Sequence, residues 1–242
     1  LKGARHSINE RYLEHTTRRI RRYIRAKQKL IKLLEEQKQA IIHQAVTGQI
    51  DVRTGQPYPA YRDSGVEWLG QVPEHWEVKK VKSIVAIYGG GTPSKSVDEF
   101  WQGGIPWVSP KDMKKPIIID AEDHISEKAI EESTTSLIHK GSVLLVVRSG
   151  ILRHSIPVAI NDLPVAINQD MKALVPKKNL LSEFLLYFVT GCQKTLLSLW
   201  TKQGATVESI ESEFLENSLL PIPSLEDQKE IKEYVDYESY KI

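Results

Sequence analysis

Apolar positions recur at helical spacing through residues 8–47. Leu13, Ile20, Ile24, Ile31, Leu34, Ile41 and Ala45 fall on one face, in steps of seven and its fractions, and Ala26, Leu30 and Leu33 widen the stripe. No Gly or Pro lies between Ala4 and Thr47, so the backbone chemistry offers no break. Ser7 or Asn9 suits the start as a cap, and Gly48 suits the stop, because a helix often ends on a residue free to take positive φ. At about 1.5 Å per residue this predicts a rod of roughly 60 Å. A rod cannot bury its own stripe. It needs another helix, most simply in an antiparallel coiled coil, and Lys27 and Lys38 within the stripe are tolerable by snorkelling or by fixing register.

The pattern then changes. Gly55, Pro57 and Pro59 predict an irregular linker over 51–63. Residues 64–224 carry short apolar runs that predict strands at Glu77–Tyr88, Ile117–Ile119, Ser142–Arg148, Ile156–Ile160 and Asp170–Val175, with helices at Glu127–Ser133, Leu181–Trp200 and Ile210–Asn217. The helix from Leu181 is the clearest, with Phe184, Leu185, Phe188, Val189 and Leu196 in its apolar set. Strands and helices do not alternate, which argues against a doubly wound sheet. Helical spacing restarts at Leu225 and continues through Gln228, Ile231, Tyr234 and Val235. The expected class is α+β: a long N-terminal helix over 1–50, a linker over 51–63, a mixed α/β domain over 64–224, and the start of a second helix over 225–242.

Charge sharpens this division. Residues 1–50 hold twelve Lys/Arg against four Asp/Glu, and the remainder holds 21 against 27, although the whole chain of 242 residues is only +2. An asymmetry of that kind fits a polyanion or an acidic protein near the helix, or simply an exposed helix with a basic solvent face. Among chemistries, most are excluded. Cys192 is the one cysteine, so neither an internal disulfide nor a cysteine-rich metal site exists, and it falls within an amphipathic helix as a packing residue. The seven histidines have no metal-type spacing, and no nucleophile elbow, phosphate loop or dinucleotide fingerprint occurs. No apolar run approaches a membrane span. The expectation is a cytoplasmic, non-enzymatic protein with no cofactor, no metal and no membrane partner.

Several segments, in order, resemble one family. AKQKLIKLLEEQKQAIIHQAVTGQID (26–51) is similar to the central spacer helix of Type I restriction-modification specificity subunits, and YPAYRDSGVEWLGQVPEHWEVKKVK (58–82) to the entry into their second target-recognition domain. GGGTPS (89–94), KGSVLLVVRSG (140–150), PVAINQDMKALVP (164–176) and LPIPSLEDQKEI (220–231) are similar to the recognition loop, the central strands and the exit into the distal helix. The resemblance implies double-stranded DNA as ligand, methyltransferase subunits docked on the helices, and through them a restriction/translocase subunit. It also implies that the helix sets the gap between half-sites. With one recognition domain and one full helix, the chain looks like the C-terminal half of such a subunit or a half-length one. Its helix is expected to self-pair with a second copy, through Leu13, Ile20, Ile24, Ile31, Leu34 and Ile41, or to stay exposed.

Which residues would meet DNA follows from donor chemistry. Gly91, Thr92, Ser94 and Lys95 combine a glycine loop with hydroxyls and a charge, against the alternative of a plain tight turn. Ser109, Lys111 and Lys114 form a short polar and basic stretch beside Trp107, itself read as core. Arg148, Ser149, Arg153 and His154 follow a very apolar strand. The two arginines suit guanine, or else surface ion pairs. Gln169, next to Asn168, suits adenine, with a backbone-serving turn amide as the alternative. Lys202, Gln203 and Thr206 flank Gly204 in a loop. The basic run Arg18–Lys32 suits either an acidic partner surface or DNA phosphates between half-sites. Two other functions compete: a coiled-coil interaction protein with a non-DNA ligand domain, and a diverged nuclease or methyltransferase fragment.

Overall fold

The computed structural model describes residues 2–202 and 208–242, with side chains from Leu13 onward. The chain opens with helix α1 (Lys2–Val46), about 68 Å long at the usual rise. It stops where expected. Gly48 takes φ 75°, the Gln49 N–H reaches the Gln44 carbonyl at 2.9 Å, and the Gly48 N–H reaches that of Ala45 at 3.3 Å. This pair of bonds satisfies the terminal carbonyls.

After α1 come β1 (Tyr61–Asp63), β2 (Gln71–Pro73), β3 (Glu77–Lys80), a helical turn α2 (Val81–Ile84) and β4 (Val85–Gly89). The middle of the chain supplies β5 (Ile105–Val108), β6 (Ile117–Ile118), β7 (Asp123–Ile125), α3 (Glu127–Glu132), β8 (Val143–Val146), β9 (Val158–Asn161), β10 (Ala166–Ile167) and β11 (Met171–Pro176). It closes with α4 (Ser182–Trp200), α5 (Ser212–Asn217), β12 (Leu219–Ile222) and α6 (Leu225–Lys241).

The main sheet has five strands in the order β4-β11-β8-β9-β6, antiparallel except for the β6–β9 pair. β10-β5-β7 form a second, three-stranded sheet, and β12-β3 and β1-β2 form two-stranded ribbons. Two expectations are corrected here. The single strand over Glu77–Tyr88 is two strands in different sheets: β3 pairs with β12, β4 pairs with β11, and α2 turns the corner, with the Val81 N–H held by the Ser218 carbonyl at 2.9 Å. The irregular stretch ends at Ala60, because Tyr61–Asp63 pairs with Gln71–Pro73.

β8 explains the uninterrupted apolar run VLLVV. Val143 and Leu145 face α4, while Leu144 faces the opposite layer with Ile118, Ile138, Ile167 and Met171. A strand covered on both faces has no polar alternation. On the α4 side, Phe184, Phe188 and Leu196 are fully buried, together with Ile42, Ala45 and Val46 from α1 and Ile231 and Val235 from α6. α1 approaches α4 closely at Gly191, where a Cβ would lie 3.0 Å from the Ile42 side chain and 3.1 Å from the His43 nitrogen. Only the end of the long stripe is therefore covered. Leu34 and Ile41 are half-buried, whereas Leu13, Ile20, Ile24 and Ile31 stay exposed.

Candidate nucleic-acid interface

Antiparallel pairing sets one end of the main sheet. Gly89 ends β4 opposite Lys172, Met171 opens β11 opposite Val146, and β8 ends there as well. The loops leaving these strands must therefore emerge side by side. The loop after β4 touches the loop before β11 through backbone: the Gly91 N–H donates to the Ile167 carbonyl at 2.9 Å, and a Cβ on Gly90 would fall 1.9 Å from the Asn168 carbonyl. Glycine is required there, but the close approach is to protein. Gly91 is buried, its carbonyl accepting from the Trp107 indole at 2.9 Å. Thr92 then donates to the Gln169 amide oxygen, which joins the two loops at the surface.

Arg148 leaves β8 beside the same loop. Its N–H donates to the Asp170 carbonyl at 3.2 Å, and it bridges to Ser209, which brings the segment after α4 alongside. Ser149, half-buried, caps the short turn Gly150–Arg153. Arg148, Arg153, His154, Gln169 and Lys202 are exposed at or near this end. Arg153 stands 3.7 Å from Glu208, a loose pairing at an exposed site and of little energetic weight. Arg148 has no ion pair among the described residues. Gln203 and Thr206 lie outside the described residues.

Asn168 is 7% exposed and its side-chain oxygen accepts the Asp170 N–H at 3.0 Å, so it serves the turn. Ser94 and Lys95 are exposed on the outer part of the glycine loop, braced by the Trp101 indole on the Ser94 carbonyl at 3.2 Å. Trp101 stacks edge-on to Trp107 at 5.2 Å. Lys95, Asp98, both tryptophans and Asp123 line a shallow cleft of about 470 Å³. The sequence reading missed Trp101 and Asp98. Their signal was the D-E-F-W run following the glycine loop.

The Trp107–Lys115 stretch divides. Ser109 is buried, and both its N–H and its hydroxyl are taken by Asp112, at 2.9 and 2.8 Å. Lys111 is held by Asp123 at 2.9 Å and Glu122 at 3.3 Å, and the hydrogen bond to Asp123 raises its pKa. Its charge is thus locally neutralised, twelve residues from a partner that the local pattern did not reveal. Lys114 is exposed, but it lines a separate cleft with Lys38, Ile156 and Tyr187, where the sheet meets α1 and α4.

Among the described residues no three His, Cys, Asp or Glu side chains are placed to hold a metal ion. Burial pushes the Cys192 thiol up to about 12, so it is protonated at neutral pH. No described helix is long and apolar enough to cross a membrane.

Residues 73–240 match the family described as the Type I restriction modification DNA specificity domain. The chain is 38% identical over 193 residues to the EcoR124I/EcoR124II specificity subunit of Escherichia coli, covering 79% of this chain and 46% of that one. It is 34% identical over 175 residues to the MjaIX specificity subunit of Methanocaldococcus jannaschii, covering 70% and 39%. The chain thus spans less than half the length of these curated relatives. Among solved structures, a chain from work on assembly and conformational transition of the type I R-M system superposes with TM-score 0.69 at 21% identity, over 94% of this chain and 50% of that one. The HsdS subunit from Thermoanaerobacter tengcongensis superposes at 0.61 with 18% identity, over 90% and 47%. At those identities the superpositions establish the shared fold.

Proposed function

Because this chain belongs to the Type I restriction-modification DNA specificity family, we propose that it reads one half-site of a split duplex-DNA target and performs no covalent step. The observation that carries this reading is the meeting of three loops at one end of the main sheet, with Arg148, Gln169 and Thr92 presented together. Arg148 suits a bidentate contact to guanine, worth about 1–3 kcal/mol of discrimination, and Gln169 suits adenine. Ser94, Lys95, Arg153, His154 and Lys202 surround them as phosphate-positioning groups. Lys111, Ser109 and Gly91 drop from the DNA-contacting set and act as scaffold.

In this reading methyltransferase subunits dock along the helices, and a restriction/translocase subunit joins through them. The exposed residues Leu13, Ile20, Ile24 and Ile31 support pairing with a second copy. A two-fold pair would read a palindromic split target, since protein symmetry is mirrored in the site.

Selection from a random duplex library, on the chain with its methyltransferase, tests both parts. The expected product is one bipartite palindrome. Arg148→Ala should relax one base position and leave the others unchanged. Recovery of unselected sequence would reject the reading, and retention of the full wild-type preference by Arg148→Ala would reject that assignment. A non-DNA interaction domain predicts no binding that weakens steeply with salt.

A further inference from the structure

α1 has a second face. Arg18, Arg21, Arg22, Arg25, Lys29 and Lys32 are linked by helical steps of three or four (18 to 21 and 22, 21 and 22 to 25, 25 to 29, 29 to 32), and they share the side turned away from Ile20, Ile24 and Ile31. All six are exposed. No Asp or Glu occurs from Arg18 to Lys32, and the one ion pair among the described residues of this stretch is Lys32 with Glu36, at 3.7 Å. Arg18, Arg21, Arg22 and Arg25 line a shallow surface groove with Thr17, Leu13 and one carboxylate, Glu14, at its N-terminal end. Like charges at these spacings destabilise a helix by about 0.2–0.5 kcal/mol per pair, so the stripe carries a standing repulsion that an anionic ligand relieves.

Its direction is also fixed. α1 runs antiparallel to α4: Ile42 and His43 meet Gly191, while residues 32–39 border Gly191–Thr195. Followed back from His43 to Lys32, α1 runs in the direction of the C-terminal end of α4, where Trp200 and Thr201 pair with Ile210 and Glu211, and Ile210 in turn bonds to Val147 beside Arg148. The basic stripe therefore projects on the side of the molecule where the base-reading loops emerge. It spans about 21 Å at the helical rise. DNA offers one negative charge per about 1.7 Å of axis over that length.

We propose that the arginine stripe of α1 binds the sugar-phosphate backbone of the unread DNA between the half-sites. This rests on the DNA reading above. An acidic protein surface is the competing occupant. It fits less well, because an interface with protein draws on apolar anchors, and those of α1 lie on its other face. Six cations with no interleaved acid or apolar anchor suit a uniform polyanion. The arginine fork suits phosphate oxygens.

The test is the salt dependence of binding by the assembled complex, on a selected target duplex and on a random duplex of the same length. In Arg18→Gln/Arg22→Gln/Arg25→Gln the log K against log salt slope should fall by about 2–3, or about 0.9 per lost phosphate, on both duplexes. Affinity near 0.1 M salt should fall roughly tenfold, base preference should persist, and the triple Lys variant should retain the wild-type slope. An unchanged slope in the Gln variant overturns the proposal. So does loss of methyltransferase co-sedimentation without DNA while the slope stays put, which would mark the stripe as a protein-docking face. If the wild type treats target and random duplex alike, the half-site reading fails, and the slope on random duplex still judges the stripe.

Discussion

From Ile42 to Val46, α1 is sealed against α4 and α6, with Ile42, Ala45 and Val46 each at most 1% exposed. From Leu13 to Ile31 the same helix, with the same spacing of apolar residues, leaves Leu13, Ile20, Ile24 and Ile31 between 48% and 62% exposed. Pattern is therefore necessary for burial and does not by itself decide it. The sealed stretch has a partner within the chain, and the open stretch does not. The open stretch also carries an apolar side, interrupted by Lys27, and a cationic side, flanked by Glu14. Buried packing is thus concentrated at one end of α1 and exposed charge at the other.

Three variants sharpen that contrast. Ile42→Ala should have the largest effect on folding, lowering stability by about 2–5 kcal/mol through a cavity under α4, as read from denaturant midpoints. A loss below about 1 kcal/mol would mean that the α1–α4 contact adds little. Gly191→Val should come next, at about 1–3 kcal/mol, because its side chain must push Ile42 and the α1 backbone aside. Full stability there would show that α1 can move off α4 without penalty. Ile20→Glu with Ile31→Glu should shift monomer stability least, within about 0.5 kcal/mol, since both side chains are exposed. It should nevertheless abolish self-association in sedimentation. A sedimenting mass identical to that of wild type would dismiss pairing through this face.

Elements with strong period and no long-range dependence were legible in advance. α4 was expected at Leu181–Trp200 and occupies Ser182–Trp200, because its apolar residues repeat for five turns and outweigh the single interior glycine, Gly191. The end of α1 at Gly48 was legible because positive φ has a residue signature. Glu77–Tyr88 misled because β3, α2 and β4 all carry apolar β-branched residues. The break between them is imposed by two different sheet partners far along the chain. The same asymmetry governs the site. That residues 89–91 form a glycine loop could be read, but not that the backbone of Ile167 and Asn168 packs against it. Lys111 looked like a free cation because Asp123 becomes its neighbour only through the β5–β7 pairing. Arg148 stood out because a charged residue ending a run of buried ones must surface there.

Arg148 is the first exposed residue after a strand packed on both sides, and its own N–H is already tied to Asp170. A ligand meeting it has no loop to order. Only the rotamers of one side chain remain to be frozen, roughly 0.5–1.5 kcal/mol, so most of the energy of that contact is available for telling one ligand from another.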